Sequence, residues 1–220
     1  MVNNKVIGLV GGIACGKSTI SKFLMNNGAY WIEADNLAHE ALRRISILKH
    51  LHNHWRISHP NIIKEEWLDN SYDDCISLCL TKLERKKLSS DVAAVVFSDE
   101  RELRFLETLV HPIVSNQIKN IIESRKGVII LDAPLLLETG LDKLCDFIWF
   151  IKLSFSKRLE NFSKRYPNES SSDILDNLIK REKCQMALNE KIRMSDIVLN
   201  NNDNIFSVLE KWMSENPLFS

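Results

Sequence analysis

A glycine-rich stretch near the N-terminus contains the residues with the clearest chemical meaning. They fit the pattern G-x-x-x-x-G-K-[ST] and follow an apolar run at 5–10: Gly11, Gly16, Lys17 and Ser18. In this pattern the backbone N–H groups of a turn, together with the N-terminus of the next helix, surround a polyphosphate. The lysine neutralises the outer phosphates, and the serine hydroxyl holds Mg²⁺. The spacing therefore predicts a phosphate-binding loop with Ser18 as a metal ligand.

Two aspartates follow short runs of residues with strong β propensity. Asp35 comes shortly after AYWI at 29–32, and Asp132 directly follows VIIL at 128–131. In an open parallel sheet the carboxyl ends of the strands form the edge where ligands bind. Both carboxylates are therefore candidate site residues, with Asp132 expected near the magnesium shell. For Asp35 the alternative is that it caps the helix that follows it.

A basic segment between the last two apolar runs has the composition expected of a lid. It contains Arg158, Arg165 and Arg181, with a polar stretch at 167–173. Arginines on a segment that closes over a nucleotide stabilise charge on the transferred group while the lid excludes water. The alternative for each is an ordinary solvated arginine on a helix surface. Whether Arg165 or Arg181 completes a phosphate clamp stays open at this point.

Apolar runs alternate with helical patterns, and this alternation predicts the fold. The runs interpreted as strands lie at 5–10, 29–32, 128–132, 146–151 and 197–199. Strands that alternate with helices form a doubly wound parallel sheet, so we expect an α/β fold with a five-stranded sheet. A last amphipathic helix is expected to pack against this sheet through Ile205, Val208, Leu209 and Trp212.

Residues 43–97 contain no glycine and show mostly helical periodicity, which predicts a helical lobe inserted between strands. The lobe contains a group of histidines: His50, His52, His54 and His59. Their spacing and the lack of a neighbouring cysteine or carboxylate disfavour a metal site, so we expect a solvated loop there. A basic run at 82–87 is expected to be a solvated helix face, with contact to the phosphates of the substrate as the alternative.

The segment after this lobe begins with the acidic, capping composition of a helix start at 98–102. We expect the helix to break at His111 and Pro112, because proline disfavours α geometry in the residue before it. A helix is then expected to resume and to continue as far as Gly127. His111 is interpreted as either a core residue or a site residue.

Composition narrows the class of protein. The chain has 220 residues, with 29 basic and 29 acidic side chains, so the global charge gives no indication of a nucleic-acid or anionic-membrane partner. The apolar run near the N-terminus is too short for a signal peptide or a membrane span, so a cytoplasmic location is expected. Five cysteines without a C-x-x-C pair indicate free thiols. Cys75 and Cys79 are expected to face a core.

Several longer stretches, taken together, resemble the dephospho-coenzyme A kinase family over nearly the whole chain. They are GLVGGIACGKST, IEADNLAH, VFSDERELRFLETLVHP, VIILDAPLLLE and the tail R-x-x-x-Q-x-x-x-x-x-K-x-x-x-S-D-x-x-x-N-N. The resemblance implies a P-loop kinase core at 1–42, 98–154 and 190–220, a helical substrate lobe at about 43–97 and a lid at about 155–189. These parts are expected to form one domain over residues 1–220.

The resemblance also implies roles for individual residues. Asp35 corresponds to the acid that activates the substrate hydroxyl, Arg158 to the lid arginine that contacts the ATP phosphates, and Asn201 to a residue beside the adenine. Lys17 is expected to act in catalysis with these groups. The residues implied in ATP binding are Gly11, Gly12, Ile13, Ala14, Cys15, Gly16, Lys17, Ser18 and Thr19.

The implied reaction is transfer of phosphate from ATP, with Mg²⁺, to the ribose 3′-hydroxyl of dephospho-coenzyme A. The expected partners are ATP and dephospho-coenzyme A, with no nucleic acid and no membrane, and the expected state is a monomer or a weak homo-oligomer. The chain departs from the family pattern mainly in 43–97 and in the lid; for example, Trp55 and Arg56 stand near the position of the family's F-G element.

Three other functions are considered. The first is another nucleoside or nucleotide kinase, which would share the core and the loop but not the PLLLE and HP elements. The second is a nucleotide-dependent switch, which is disfavoured because no D-x-x-G occurs in the chain. The third is a chain that binds ATP but has lost turnover through its altered lobe.

Overall fold

The computed structural model describes residues 4–68 and 80–215. The chain divides into two compact units, one formed by Met1–Glu33 with Lys119–Ser220 and the other by Ala34–Ile118. The predicted limits of the core, the substrate lobe and the lid stay predictions. Cys75 and Cys79 lie outside the described residues.

The first unit is built on a five-stranded sheet in the order β2-β3-β1-β4-β5, and every neighbouring pair is parallel. The strands are β1 Asn4–Gly11, β2 Tyr30–Glu33, β3 Gly127–Asp132, β4 Phe147–Lys152 and β5 Ile197–Asn200. The predicted α/β fold with a five-stranded parallel sheet is therefore confirmed.

The helices in chain order are α1 Lys17–Asn26, α2 Ala34–Leu42, α3 Ile45–Trp55, α4 Lys82–Val96, α5 Glu100–Ser124, α6 Phe155–Ser163, α7 Ser171–Lys183, α8 Leu188–Arg193 and α9 Ile205–Glu215. No helix among the described residues is long and apolar enough to cross a membrane.

The central strands are apolar along most of their length because a parallel sheet with helices on its faces is buried on both sides. Leu9 of β1, Ile130 of β3 and Ile151 of β4 are completely buried. On one face α1 and α9 pack against these strands, and Ile20 and Leu209 lie in the same apolar cluster. In α9 the predicted apolar face is partly wrong, since Val208 is 54% exposed.

The second unit is helical and has its own core, which agrees with the periodicity of 43–97. Leu51 and Trp55 of α3 pack with Leu88 and Val92 of α4 in one buried cluster. The basic run at 82–87 opens α4, and its lysines are exposed, as predicted.

The expected histidine loop is wrong, because His50, His52 and His54 lie within α3. Apolar side chains recur every three or four residues through this stretch and bury one face of a helix: Ile45, Leu48, Leu51 and Trp55. The histidines occupy the remaining surface. His54 does meet a carboxylate, since its Nε2 lies 2.9 Å from Glu102 Oε2.

The expected break at Pro112 is also wrong, because α5 is continuous from Glu100 to Ser124 with Pro112 inside it. Proline removes one helical hydrogen bond and its ring crowds the preceding turn. Val110, Val114 and Ile118 nevertheless bury one face of the helix on both sides of the proline. This continuous packing outweighs the local cost. His111 is exposed, so it is not a core residue.

The cysteines in the described part of the chain are free thiols, as predicted: Cys15, Cys145 and Cys184. Cys15 is buried in the glycine-rich loop and Cys184 is exposed. Burial, reinforced by the carboxylates of Asp142 and Asp146, raises the pKa of the Cys145 thiol to about 12. Cys145 is therefore protonated and unreactive at neutral pH.

Candidate nucleotide-binding site

The glycine-rich loop connects the end of β1 to the start of α1 through a tight turn in which Cys15 N–H donates to the Gly12 carbonyl over 3.2 Å. Gly16 has a φ of 98°, in the left-handed region that favours glycine, and it turns the chain into α1. A Cβ added to Gly12 would lie 2.5 Å from Arg158 Nη1, and one added to Gly16 would lie 2.5 Å from Asn201 Nδ2. The glycines therefore allow Arg158 and Asn201 to approach the loop backbone.

The N-terminus of α1 is available to an anion. Within the described residues, no side chain caps this helix and no acidic residue lies in its first turn. The first N–H groups of a helix have no partner inside the helix, and its dipole favours negative charge at this end. Lys17 is half-buried as the first residue of α1, and Ser18 and Thr19 beside it are exposed. The loop has the features of a phosphate site.

A carboxylate from β3 meets the start of α1. Ser18 Oγ donates to Asp132 Oδ2 over 3.2 Å, and Ser21 Oγ lies 3.4 Å from the same oxygen. Asp132 is only 5% exposed, at the carboxyl end of β3. The structure thus places Asp132 beside Ser18. The sequence predicted Asp132 as a site residue only because it directly follows a strand. Ser21 was not predicted, and no local pattern indicates it.

These oxygens suit Mg²⁺, which binds through one or two protein oxygens together with substrate phosphates and water. No group of three or more His, Cys, Asp or Glu side chains in the described ranges forms a cage for a metal ion. The oxygens of Ser18 and Asp132, 3.2 Å apart, are of the kind that would fit a magnesium ion bound together with a nucleotide.

Arg158 lies in α6 and is 4% exposed, so the alternative of a solvated surface arginine is wrong for it. Its Nη1 donates to the carboxylate of Glu182 in α7 and lies 3.5 Å from the Ile13 carbonyl oxygen. Phe155 packs against the guanidinium, with a centroid distance of 5.5 Å. The predicted lid arginine is therefore held against the phosphate loop.

Arg165 and Arg181 are both exposed. The Arg181 guanidinium lies over the rings of Phe162 and Tyr166, 5.6 Å from each centroid. Arg165 has no such aromatic contact among the described residues. In the described part of the chain, neither arginine has a hydrogen bond or ion pair with the loop, and the second member of a phosphate clamp stays a prediction.

Helices α6 and α7 form a small core with the loop. Phe162, Ile174 and Leu178 are buried together with Ala14, and Ile13 packs at the margin of this cluster. The segment that carries Arg158 is thus a packed helical pair in contact with the phosphate loop. Its role as a lid that opens and closes stays a prediction.

Asn201 follows β5 directly and is tied to the loop. Its side-chain Nδ2 donates to the Cys15 carbonyl over 2.8 Å, and its backbone N–H donates to the Lys152 carbonyl over 2.8 Å. The predicted site residue therefore lies beside the loop. Its contact with adenine is not tested.

Asp35 lies two residues after Glu33, the last residue of β2, in the first turn of α2. It is exposed, and the imidazole of His39 donates from Nδ1 to its backbone carbonyl over 2.8 Å. Because α2 begins at Ala34, Asp35 lies inside the helix and is not the capping residue before it. Asp35 belongs to the unit Ala34–Ile118, and its catalytic role stays a prediction.

A buried lysine joins motif residues to which the sequence analysis gave no role. Lys191 of α8 is 1% exposed, its Nζ lies 3.1 Å from Glu138 Oε1, and it donates to Gln185 Oε1 over 3.1 Å. The Met186 N–H also donates to Glu138 Oε1, over 2.7 Å. These contacts hold the chain that follows α7 against the segment that follows β3. In the sequence, the only sign of this cluster was that Glu138, Gln185 and Lys191 lie in motifs shared with the dephospho-coenzyme A kinase family.

Comparison with known proteins identifies the family. The family model described as dephospho-CoA kinase matches residues 5–207. The chain belongs to the dephospho-CoA kinase family. A dephospho-CoA kinase from Fusobacterium nucleatum is 31% identical over 207 residues, covering 94% of each chain. Another from Oceanobacillus iheyensis is 32% identical over 219 residues, covering 94% of this chain and 97% of the relative.

A solved structure has the same fold. A dephospho-CoA kinase from Campylobacter jejuni superimposes with a TM-score of 0.59 over 97% of this chain and 99% of that chain, at 19% identity. Membership of the dephospho-CoA kinase family makes this chain a member of an ATP-dependent kinase family with a phosphate-binding loop. The nucleotide-dependent switch and the other nucleoside or nucleotide kinase, both considered above as alternatives, are not supported.

Proposed function

We propose that this chain transfers the γ-phosphate of ATP to the ribose 3′-hydroxyl of dephospho-coenzyme A, releasing coenzyme A and ADP. The observation that carries the proposal is the match to the dephospho-CoA kinase family over almost the whole chain. The loop geometry supports it, because the N-terminus of α1 and the hydroxyl of Ser18 offer the groups that phosphoryl transfer requires.

Within this proposal, the loop residues Gly11 to Thr19 bind the triphosphate. Phosphoryl transfer depends on positioning and on stabilising charge at the oxygens of the transferred group. Lys17 supplies a positive charge at the start of α1, and Arg158 supplies a second from α6. Asn201, fastened to the loop backbone, is assigned to the side of the adenine.

Ser18 and Asp132 are the residues proposed to hold Mg²⁺, Ser18 directly and Asp132 as the carboxylate that orients it. When bound, the ion neutralises charge on the β- and γ-phosphate oxygens. The contacts of Ser18 and Ser21 with Asp132 Oδ2 support this role, because they fix the buried carboxylate beside the Ser18 hydroxyl.

Asp35 is proposed to accept the proton of the acceptor hydroxyl and to orient that hydroxyl toward the γ-phosphate. Its position just beyond β2 supports the assignment, since ligands of parallel sheets bind beyond the carboxyl ends of strands. The His39 hydrogen bond to the Asp35 backbone restrains the first turn of α2.

The proposed acceptor can be tested against a smaller nucleotide. We expect kcat/KM for dephospho-coenzyme A to exceed that for AMP by at least about a hundredfold, or roughly 2.7 kcal/mol. Binding energy from the pantetheine arm, which AMP lacks, helps to position the reacting hydroxyl. A coupled assay of ADP release with both acceptors in parallel measures the ratio.

A preference for AMP would contradict the proposed acceptor. If ATP binds but neither acceptor is phosphorylated, the third alternative of the sequence analysis holds. The chain would then bind ATP but lack turnover because of its altered lobe. Product identification must show a 3′-phosphate, because transfer to another hydroxyl of the acceptor would also contradict the proposal.

The magnesium assignment predicts a change in metal requirement. We expect Asp132→Asn to raise the Mg²⁺ concentration for half-maximal activity about tenfold, because the amide removes the charge that orients the Ser18 hydroxyl. Titration of activity with Mg²⁺ at saturating ATP measures this shift. Asp203→Asn, on an exposed turn, is the control for loss of a carboxylate. An unchanged Mg²⁺ titration in a folded Asp132→Asn protein would refute the assignment.

A further inference from the structure

The carboxylate of Glu182 forms an ion pair with the proposed lid arginine. Glu182 lies near the end of α7 and Arg158 in the first turn of α6. The Arg158 side chain is 5% exposed and the Glu182 side chain 25% exposed. The pair therefore joins the two lid helices at a point shielded from solvent, where charge pairing is much stronger than on an open surface.

In the part of the chain that the structure describes, only some of the N–H donors of the Arg158 guanidinium have partners in this arrangement. Its Nη1 contacts Glu182 and lies within 3.5 Å of the Ile13 carbonyl oxygen. Its Nε is buried and, among the described residues, has no hydrogen-bond partner. A buried N–H donor without a partner costs free energy, which is recovered when an acceptor arrives.

The Arg158 side chain packs closely against the phosphate loop at Gly12. A Cβ built on Gly12 would lie 2.5 Å from Arg158 Nη1, 2.9 Å from Cζ and 3.2 Å from Cδ. Nη1 and Cδ lie on the same side of a planar guanidinium, and the N–H of Nε points away from that side, so Gly12 meets the Nη1 side of Arg158 and not its Nε–H edge. The contacts of Nη1 with Glu182, the Ile13 carbonyl oxygen and Gly12 therefore hold the positive charge of Arg158 beside the loop that is proposed to bind the phosphates.

We propose that Glu182 is a positioning residue that holds Arg158 through Nη1 against the phosphate loop and thereby keeps the guanidinium charge beside a phosphate group of ATP. This inference rests on the proposed function, in which Arg158 contacts the ATP phosphates. Arginine has enough N–H donors in one plane to bind a carboxylate and a phosphate at the same time. The competing role, in which Glu182 occupies Arg158 and has to be displaced by ATP, predicts effects of opposite sign.

The test begins with Glu182→Gln, which keeps the shape of the side chain and removes its charge. We expect kcat to fall about tenfold and ATP affinity, measured by calorimetry, to weaken no more than about threefold, since charge stabilisation matters most in the transition state. The matched control is Glu160→Gln, which breaks the exposed pair with Lys164 on α6 and is expected to change neither quantity.

A double-mutant cycle with Arg158→Ala isolates the coupling between the two side chains. If Glu182 acts through Arg158, Glu182→Gln has no further effect on kcat or on ATP affinity once Arg158 is alanine. Equal effects of Glu182→Gln in the presence and absence of Arg158 would overturn the proposal. An increase in kcat/KM on Glu182→Gln would also overturn it and would support the displaced counter-ion.

Thermal unfolding distinguishes the proposed positioning role of Glu182 from a purely structural role. If Glu182 only joined the two helices, Glu182→Gln would lower the melting temperature while leaving kcat unchanged well below it, and the proposal would fail. The calorimetric cycle with ATP needs no acceptor. It therefore tests the coupling even if the wild-type chain proves unable to phosphorylate dephospho-coenzyme A, a result that would refute only the proposed function.

Discussion

Replacement of Lys17 by alanine is expected to lower kcat/KM for ATP by about a thousandfold, equivalent to about 4 kcal/mol of transition-state stabilisation. The side chain begins α1 directly after the loop, and its ammonium group is the positive charge proposed to meet the outer phosphates. No compensating change in the fold is expected, because Lys17 is only half-buried and lies at a helix end. Steady-state phosphorylation of dephospho-coenzyme A measures the loss.

Lys22→Ala provides the matched control for Lys17, because it removes the same group from the same helix at an exposed position. The control is expected to retain wild-type kinetics. Circular dichroism must show that both variants are folded. Wild-type turnover in a folded Lys17→Ala protein would exclude the catalytic role of the loop lysine.

Asp35→Asn is expected to lower kcat about a hundredfold while the affinity for ATP stays within about twofold of wild type. The amide keeps the shape of the side chain but cannot accept the proton of the acceptor hydroxyl. Part of the loss would come from positioning, since a loose phosphoryl-transfer transition state needs little base catalysis. Turnover at saturating substrates and calorimetric ATP binding separate the two quantities.

Glu40→Gln is the control for Asp35, because it neutralises another exposed carboxylate of α2. It should leave kcat unchanged. If Asp35→Asn lost ATP affinity while kcat stayed intact, Asp35 would contact the nucleotide and not the acceptor hydroxyl. An Asp35→Asn protein with unchanged kcat and unchanged affinity would remove it from the site.

The features that the sequence predicted best depend on neighbours along the chain. The glycine-rich loop needs only a strand, a turn with small residues and a helix start, all between residues 4 and 26. The central strands β1, β3 and β4 were recognisable because a strand that is buried on both faces is apolar along most of its length. Because these requirements are local, they can be recognised from the composition and periodicity of short segments of the sequence.

Sequence reasoning failed where packing between distant residues outweighed a local preference. The spacing of the histidines at 50–54 predicted a solvated loop, yet Leu48 and Leu51 are completely buried and the stretch lies in a helix. Pro112 was read from its local geometry, yet the apolar face of α5 continues through it. In both cases the buried area on one helix face was the larger free-energy contribution.

The sequence by itself determined the phosphate loop, the five strands in chain order, and the candidate residues Lys17, Ser18 and Asp35. Only the tertiary structure brought Asp132 to Ser18 across 114 positions and Asn201 to the Cys15 carbonyl across 186. It likewise joined Arg158 to Glu182. Side chains meet at such separations because the register of parallel strands and the packing of helices on them bring distant segments together, and no spacing along the chain expresses that register.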